Sequence, residues 1–90
     1  MSVVVELPDY IAKLATLPSH MRGAMQRWIE KGHTPDKGDF LYEFLTNDLM
    51  GAIGHADDTN LTRFYDFAVY LYNYAPAGSY GSLEKVQAWA

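Results

Sequence analysis

Apolar residues recur at helical spacing over most of this chain. The clearest run begins at position 21, where apolar side chains at i, i+3, i+4, i+7 and i+8 would share one face of a helix. Its members are Met21, Ala24, Met25, Trp28 and Ile29. Ser19 is expected to cap the start of this helix, and Gly32 stands where a helix commonly ends. The pattern therefore predicts a helix with one buried stripe.

Shorter runs of the same period predict further helices, separated by turns. They are expected between Pro8 and Pro18, from Asp39 onwards, over residues 49–55 and after Ser82, with a turn over residues 33–38. Within 49–55, Gly51 and Gly54 each cost about 1 kcal/mol in helix propensity, so this helix should be irregular or tightly packed against a neighbour. Met50 and Ile53 are predicted to face inward there.

The segment from about Asn60 to Ala75, which Pro76 ends, is predicted to form a long helix that is apolar nearly all the way round. Such a helix is either wrapped by its neighbours or presents one face to a partner. Aromatic residues carry much of the binding energy at protein interfaces. Two faces are therefore candidate surfaces for a foreign protein, or for a second copy in a homodimer or higher oligomer. The candidate residues are Phe67, Tyr70 and Tyr74 on one face and Tyr65 and Tyr72 on another.

The size and composition of the chain fit one small domain. It has 90 residues, a net charge of −4, no cysteine, and no apolar run of the ~18–20 residues that a membrane span needs. The acidic balance argues against direct binding of nucleic acid. We expect a single all-α domain over residues 1–90. A compact bundle of five to six short helices would occupy 8–90, preceded by a short extended arm, 1–7, that contains Val3–Val5.

Basic residues gather on one stripe of the second predicted helix. His20, Arg27 and Lys31 share this stripe, and Gly23 on the same side would let a ligand approach closely. One interpretation is a solvated face paired with neighbouring carboxylates. The other is a binding site for an anionic metabolite, a nucleotide or an acidic partner surface. The residues alone leave both open.

No spacing in the sequence indicates catalysis or metal binding. The three histidines and the segment His55–Asp58 lack the ligand spacing of a zinc site. The sequence also contains no nucleophilic triad and no glycine-rich phosphate loop. We therefore expect no enzymatic activity, no cofactor and no metal.

An ordered series of short blocks resembles a family of small, mostly uncharacterised proteins of tailed bacteriophages and prophages. The blocks lie between about residues 17 and 89 and are His20–Gly32, Phe40–Leu41, Leu45–Leu49, Ala56–Asn60, Tyr70–Pro76 and Gly81–Val86. Two regions depart from the family pattern. The turn at 33–38 replaces a turn rich in glycine and proline, and residues 1–16 have no counterpart.

The resemblance implies a phage or prophage origin and action in the cytoplasm of the infected bacterial host. It implies no catalytic residues. By analogy with small accessory phage proteins, the leading expectation is a non-enzymatic protein that binds and inhibits a host defence or regulatory complex, such as a CRISPR effector. The alternative expectation is a small-ligand binder that sequesters an anionic metabolite or nucleotide.

Overall fold

The computed structural model describes residues 8–90, which form α-helices, two short 3-10 helices and no β-strand. The predicted extended arm, 1–7, lies outside the described residues. The α-helices are α1 (Asp9–Ala12), α2 (Ser19–Lys31), α3 (Phe40–Leu45), α4 (Leu49–His55), α5 (Asp58–Leu61), α6 (Phe64–Tyr74) and α7 (Leu83–Trp89), and the 3-10 helices are Lys13–Thr16 and Ala77–Ser79. The all-α prediction is confirmed.

The helix α2 carries the predicted buried stripe. All five residues of that stripe are buried or half-buried in the core. Gly32 ends the helix in a left-handed conformation with φ 63°, which glycine adopts without steric cost. The expected cap is wrong, however. Ser19 is the first helical residue, and the preceding Pro18 takes the cap position without a side-chain cap bond. A proline suits this place because it has no N–H to satisfy.

Two tryptophans link the C-terminal segment to α2. The indole N–H of Trp28, which is fully buried, donates to the carbonyl of Ser79 at 2.9 Å. The indole N–H of Trp89 donates back to the carbonyl of Trp28 at 3.0 Å. Ser82 caps α7 by accepting a hydrogen bond from the N–H of Lys85 at 3.2 Å. These bonds satisfy polar groups that burial would otherwise leave without partners.

The long helix predicted over 60–75 is divided in two, and this accounts for seven α-helices among the described residues instead of five to six. Asp57 caps α5 through the N–H of Asn60 at 2.7 Å. The chain then leaves helical geometry at Thr62 and Arg63, and α6 begins at Phe64. The guanidinium of Arg63 binds the carboxylate of Asp66 and a carbonyl of the distant segment 13–16. The long-range bond to the Thr16 carbonyl favours the break over helix continuity.

The helix α4 faces the opposite way from the prediction. Its buried residue is Ala52, whereas Met50 is 75% exposed and Ile53 is 43% exposed. Two polar contacts fix this orientation. Asp48 accepts a hydrogen bond from the N–H of Gly51 at 3.0 Å, and the His55 imidazole lies 2.7 Å from a carboxylate oxygen of Glu43 on α3.

Four phenylalanines join α3 to α6. Neighbouring ring centroids among them lie 5.0–5.6 Å apart, in tilted and edge-to-face arrangements, which aromatic quadrupoles favour. The residues are Phe40, Phe44, Phe64 and Phe67. This cluster holds one side of α6 in the core and leaves the other side for solvent.

Candidate functional site

The helix α6 has one buried side and one exposed side. Phe67, Tyr70 and Leu71 lie on the buried side. Tyr65 and Tyr72 lie on the opposite side and are 79% and 81% exposed. Two of the predicted partner-binding residues are therefore displayed on the surface, at the largest exposures among the exposed large apolar side chains of the described chain.

The other predicted aromatic face is occupied by the chain itself. The hydroxyl of Tyr70 donates to the carbonyl of Tyr10 at 2.7 Å, and burial raises the pKa of this tyrosine well above its usual range. Phe67 is fully buried, and the ammonium of Lys13 lies 5.6 Å from the ring centre of the half-buried Tyr74. Phe67 and Tyr70 are inaccessible to a partner in this fold, which corrects their assignment as interface residues.

The segment 9–17, which we call the strap, covers this aromatic face of α6. Two arginines bind the C-terminal end of the strap. Arg22 donates to the carbonyl of Leu17 at 2.9 Å and to that of Ala15 at 3.0 Å. Arg63 donates to the carbonyl of Thr16. Hydrogen bonds from a charged donor are stronger than neutral ones, so the strap is fixed against α2 and α6.

An apolar groove lies along the exposed side of α6. Its volume is about 580 Å³, and no charged residue lines it. The walls come from α6, from the start of α4 with the turn before it, and from residues 80–81. The lining residues are Phe44, Asn47, Leu49, Tyr65, Ala68, Val69, Leu71, Tyr72, Asn73, Tyr80 and Gly81.

Two backbone features position the walls of this groove. Asn47 adopts a left-handed conformation with φ 65° and turns the chain from α3 into α4, a conformation that asparagine tolerates better than most residues. Gly81, with φ 112°, donates its N–H to the carbonyl of Leu45 at 2.8 Å. The sequence identified Tyr65 and Tyr72 as candidate partner-binding residues, but it did not identify the residues at 47 and 81 as part of this site.

The residues of the predicted basic stripe on α2 have different contacts. His20 lies 2.9 Å from a carboxylate oxygen of Asp57, the residue that caps α5. The N–H of Asn60 and this imidazole lower the pKa of the Asp57 carboxyl. The guanidinium of Arg27 lies over Gly23, where an added Cβ would be 3.1 Å from Nη1. Lys31 is exposed at the end of the helix.

Arg27 also lines a second, smaller cavity of about 330 Å³ between α2, α3 and α5. The floor includes Asn60, which is 3% exposed and whose Oδ1 atom accepts no hydrogen bond from any residue in 8–90. The remaining lining residues are Met21, Ala24, His33, Thr34, Pro35, Asp36, Asp39, Phe40 and Leu41. Sequence reasoning treated Asn60 only as the start of a helix and missed this cavity.

A further pair of titratable groups, His55 and Glu43, joins α3 to α4. The hydrogen bond with the Glu43 carboxylate raises the pKa of His55 above its usual value. Across residues 8–90, no group of three or more metal-binding side chains is placed to hold a metal ion. No helix in the same range is long and apolar enough to cross a membrane.

No family model, curated protein or solved structure matches this chain. The groove and the second cavity are therefore interpreted from their own residues and geometry.

Proposed function

We propose that this is a non-enzymatic protein that acts by protein–protein binding, and that the groove along α6 receives an apolar segment of its partner. The observation that carries the proposal is the pair Tyr65 and Tyr72, both about four-fifths exposed beside a groove without charged residues. Exposed tyrosines and apolar patches mark protein-interaction sites more often than the rest of a protein surface.

The chemistry of the groove defines the partner segment that fits it. An uncharged lining penalises a buried charge on the partner, since that charge would lose its hydration without gaining an ion pair. Asn47 and Asn73 at the groove offer hydrogen bonds at fixed points. A short amphipathic helix that presents its apolar side to the groove satisfies these conditions.

The biological setting is proposed from the resemblance described above. In that setting the protein is an accessory protein of a tailed phage or prophage, and its partner is a component of a host defence or regulatory complex in the bacterial cytoplasm. Binding in the groove would block that component. This part of the proposal depends on the resemblance, and the groove chemistry supports only the binding step.

Photo-crosslinking followed by a quantitative binding assay tests the proposal. A photo-reactive phenylalanine analogue at position 72 should crosslink a partner in extract of a bacterial host, whereas the same analogue at Leu83, exposed on α7 and outside the groove, should not. The crosslinked partner is then purified. Substituting Tyr65 and Tyr72 by serine should weaken its binding at least about tenfold, and Leu83→Ser should leave it unchanged.

Two outcomes would count against the groove as the binding surface. One is equal crosslinking at positions 72 and 83. The other is full affinity of the purified partner for the double serine variant. Loss of folding would not confuse the result, because substitutions at exposed sites usually change stability by less than about 0.5 kcal/mol, and thermal unfolding of each variant verifies this. Light scattering of the protein alone identifies a second copy as the occupant if one binds there.

A further inference from the structure

The second cavity carries an inference that is independent of the groove. It lies between α2, the segment 33–39, the start of α3 and the short helix α5, and its volume of about 330 Å³ is at the lower end of the range for small-molecule sites. Its lining includes one basic residue, Arg27, and two acidic residues, Asp36 and Asp39. It also includes the polar residues His33, Thr34 and Asn60 and an apolar surface from Met21, Phe40 and Leu41.

The first indication of a ligand is the amide of Asn60. This side chain lines the cavity and is almost fully buried, and its Oδ1 atom has no donor among the described residues. The Asp57 carboxylate next to it is engaged by the backbone N–H of Asn60 at 2.7 Å and by His20 at 2.9 Å. Buried acceptors without a donor are rare in folded proteins. Rotation about χ2, a broad torsion in asparagine, would turn this oxygen toward a donor placed in the cavity.

The second indication is the separation of opposite charges around the cavity. Arg27 belongs to α2, and Asp36 and Asp39 belong to the segment 33–39 that forms another wall of the cavity. Among residues 8–90, none of these three side chains forms an ion pair within the cavity or elsewhere. A ligand with only one charge would match one side and face a like charge on the other. A ligand that carries both charges would match both sides at once.

We propose that this cavity binds a free α-amino acid with an apolar side chain. The ligand carboxylate pairs with the Arg27 guanidinium, which suits a planar carboxylate. The ammonium group has three donors, and the acceptors available to it are the carboxylates of Asp36 and Asp39 and the Asn60 oxygen. The apolar side chain lies against Met21, Phe40 and Leu41. Arg27, Asp36, Asp39 and the Asn60 oxygen each have a partner in such a ligand.

Isothermal titration of the purified protein with the twenty common amino acids tests the proposal. At least one apolar amino acid, such as leucine or phenylalanine, should bind. Two analogues of leucine separate the roles of the charges. 4-Methylpentanoate lacks the ammonium group and 3-methylbutylamine lacks the carboxylate, so each should bind at least about tenfold more weakly than leucine.

Three variants locate the site. Arg27→Gln and Asn60→Leu should each weaken binding at least about tenfold. Lys31→Gln removes a charge one turn further along α2, outside the cavity lining, and should leave binding unchanged. Arg27 is exposed, so its variant stays informative if the substitution at the buried position 60 impairs folding.

Several results would overturn the proposal. The first is the absence of binding by any of the twenty amino acids at millimolar concentration. The second is an analogue with one charge that binds as well as the amino acid. The third is an equal loss of affinity in Lys31→Gln and Arg27→Gln, which would place the ligand on the outer face of α2.

Discussion

Replacing Gly51 by alanine should destabilise the protein, whereas the same replacement at Gly54 should stabilise it. Both glycines lie in α4 with ordinary helical backbone. A Cβ added at position 51 would lie 2.5 Å from Oδ2 of Asp48 and 2.9 Å from the carboxyl carbon of Glu43. A Cβ added at position 54 would meet nothing within 4 Å. The two positions thus differ in packing while sharing one helix.

The expected magnitudes follow from this difference. Alanine is better than glycine in a helix interior by about 0.5–1 kcal/mol, and Gly54→Ala should gain that amount. At position 51 the same gain is opposed by the loss of the Asp48 cap, about 0.5–2 kcal/mol, and by overpacking, about 1–3 kcal/mol. Taking the middle of each range, a net loss of about 2–3 kcal/mol is expected. For a domain of this size, about 1 kcal/mol shifts Tm by roughly 4–8 °C, so the two variants should melt roughly 10 °C or more apart.

Thermal unfolding followed by circular dichroism measures this difference. An Asp48→Ala background provides the control, because it removes both the cap and the nearest obstructing atom. In that background, Gly51→Ala should cost much less than in the native chain. The reasoning about α4 is refuted if Gly51→Ala melts at or above the temperature of Gly54→Ala, or if its cost is the same with and without Asp48.

Three further predictions concern single polar contacts. Tyr70→Phe removes the hydrogen bond to the carbonyl of Tyr10 and should cost about 0.5–1.5 kcal/mol in urea unfolding; no loss would mean that water replaces the bond. Because Glu43 raises the folded-state pKa of His55, the stabilisation from this pair should be complete below about pH 6.5 and disappear as pH rises through the folded-state pKa. His55→Gln should therefore lower the urea midpoint under acidic conditions and change it little at alkaline pH, and a pH-independent effect would contradict the assignment. Asn60→Leu should raise Tm in the absence of ligand, since an unsatisfied buried acceptor costs about 1–3 kcal/mol; a lower Tm would show that the amide is satisfied in solution.

The features that the sequence predicted well are those with a local cause. The period of the α2 stripe depends on residues within one helix, and the end of that helix at Gly32 depends on one backbone conformation. The start of α7 after Ser82 likewise depends on a bond to an N–H three residues further along the chain. Such signals lie within a few residues, so they can be recognised without knowledge of the fold.

The expected Ser19 cap failed for a local reason, since Pro18 takes the cap position, but the larger errors have non-local causes. The break before α6 depends on Arg63, whose guanidinium reaches a carbonyl 47 residues away along the chain. The orientation of α4 depends on the contact between His55 and Glu43, on a different helix. The apolar period within a short segment does not show which distant residues that segment will contact. An apolar pattern shows that a helix has a face to bury, and its neighbours decide which face that is.

The two aromatic faces of α6 are a further case in which contacts distant along the chain decide which face is buried. The helix is apolar on several sides, so the sequence alone offered two aromatic faces of similar character. The strap of residues 9–17 selects between them, through the bond from the Tyr70 hydroxyl to a carbonyl 60 residues earlier. Because the strap and the phenylalanine cluster occupy one side of α6, the described chain has no element left to cover Tyr65 and Tyr72. Their exposure is thus a consequence of the fold, because the same contacts that bury Phe67 leave Tyr72 exposed beside the groove.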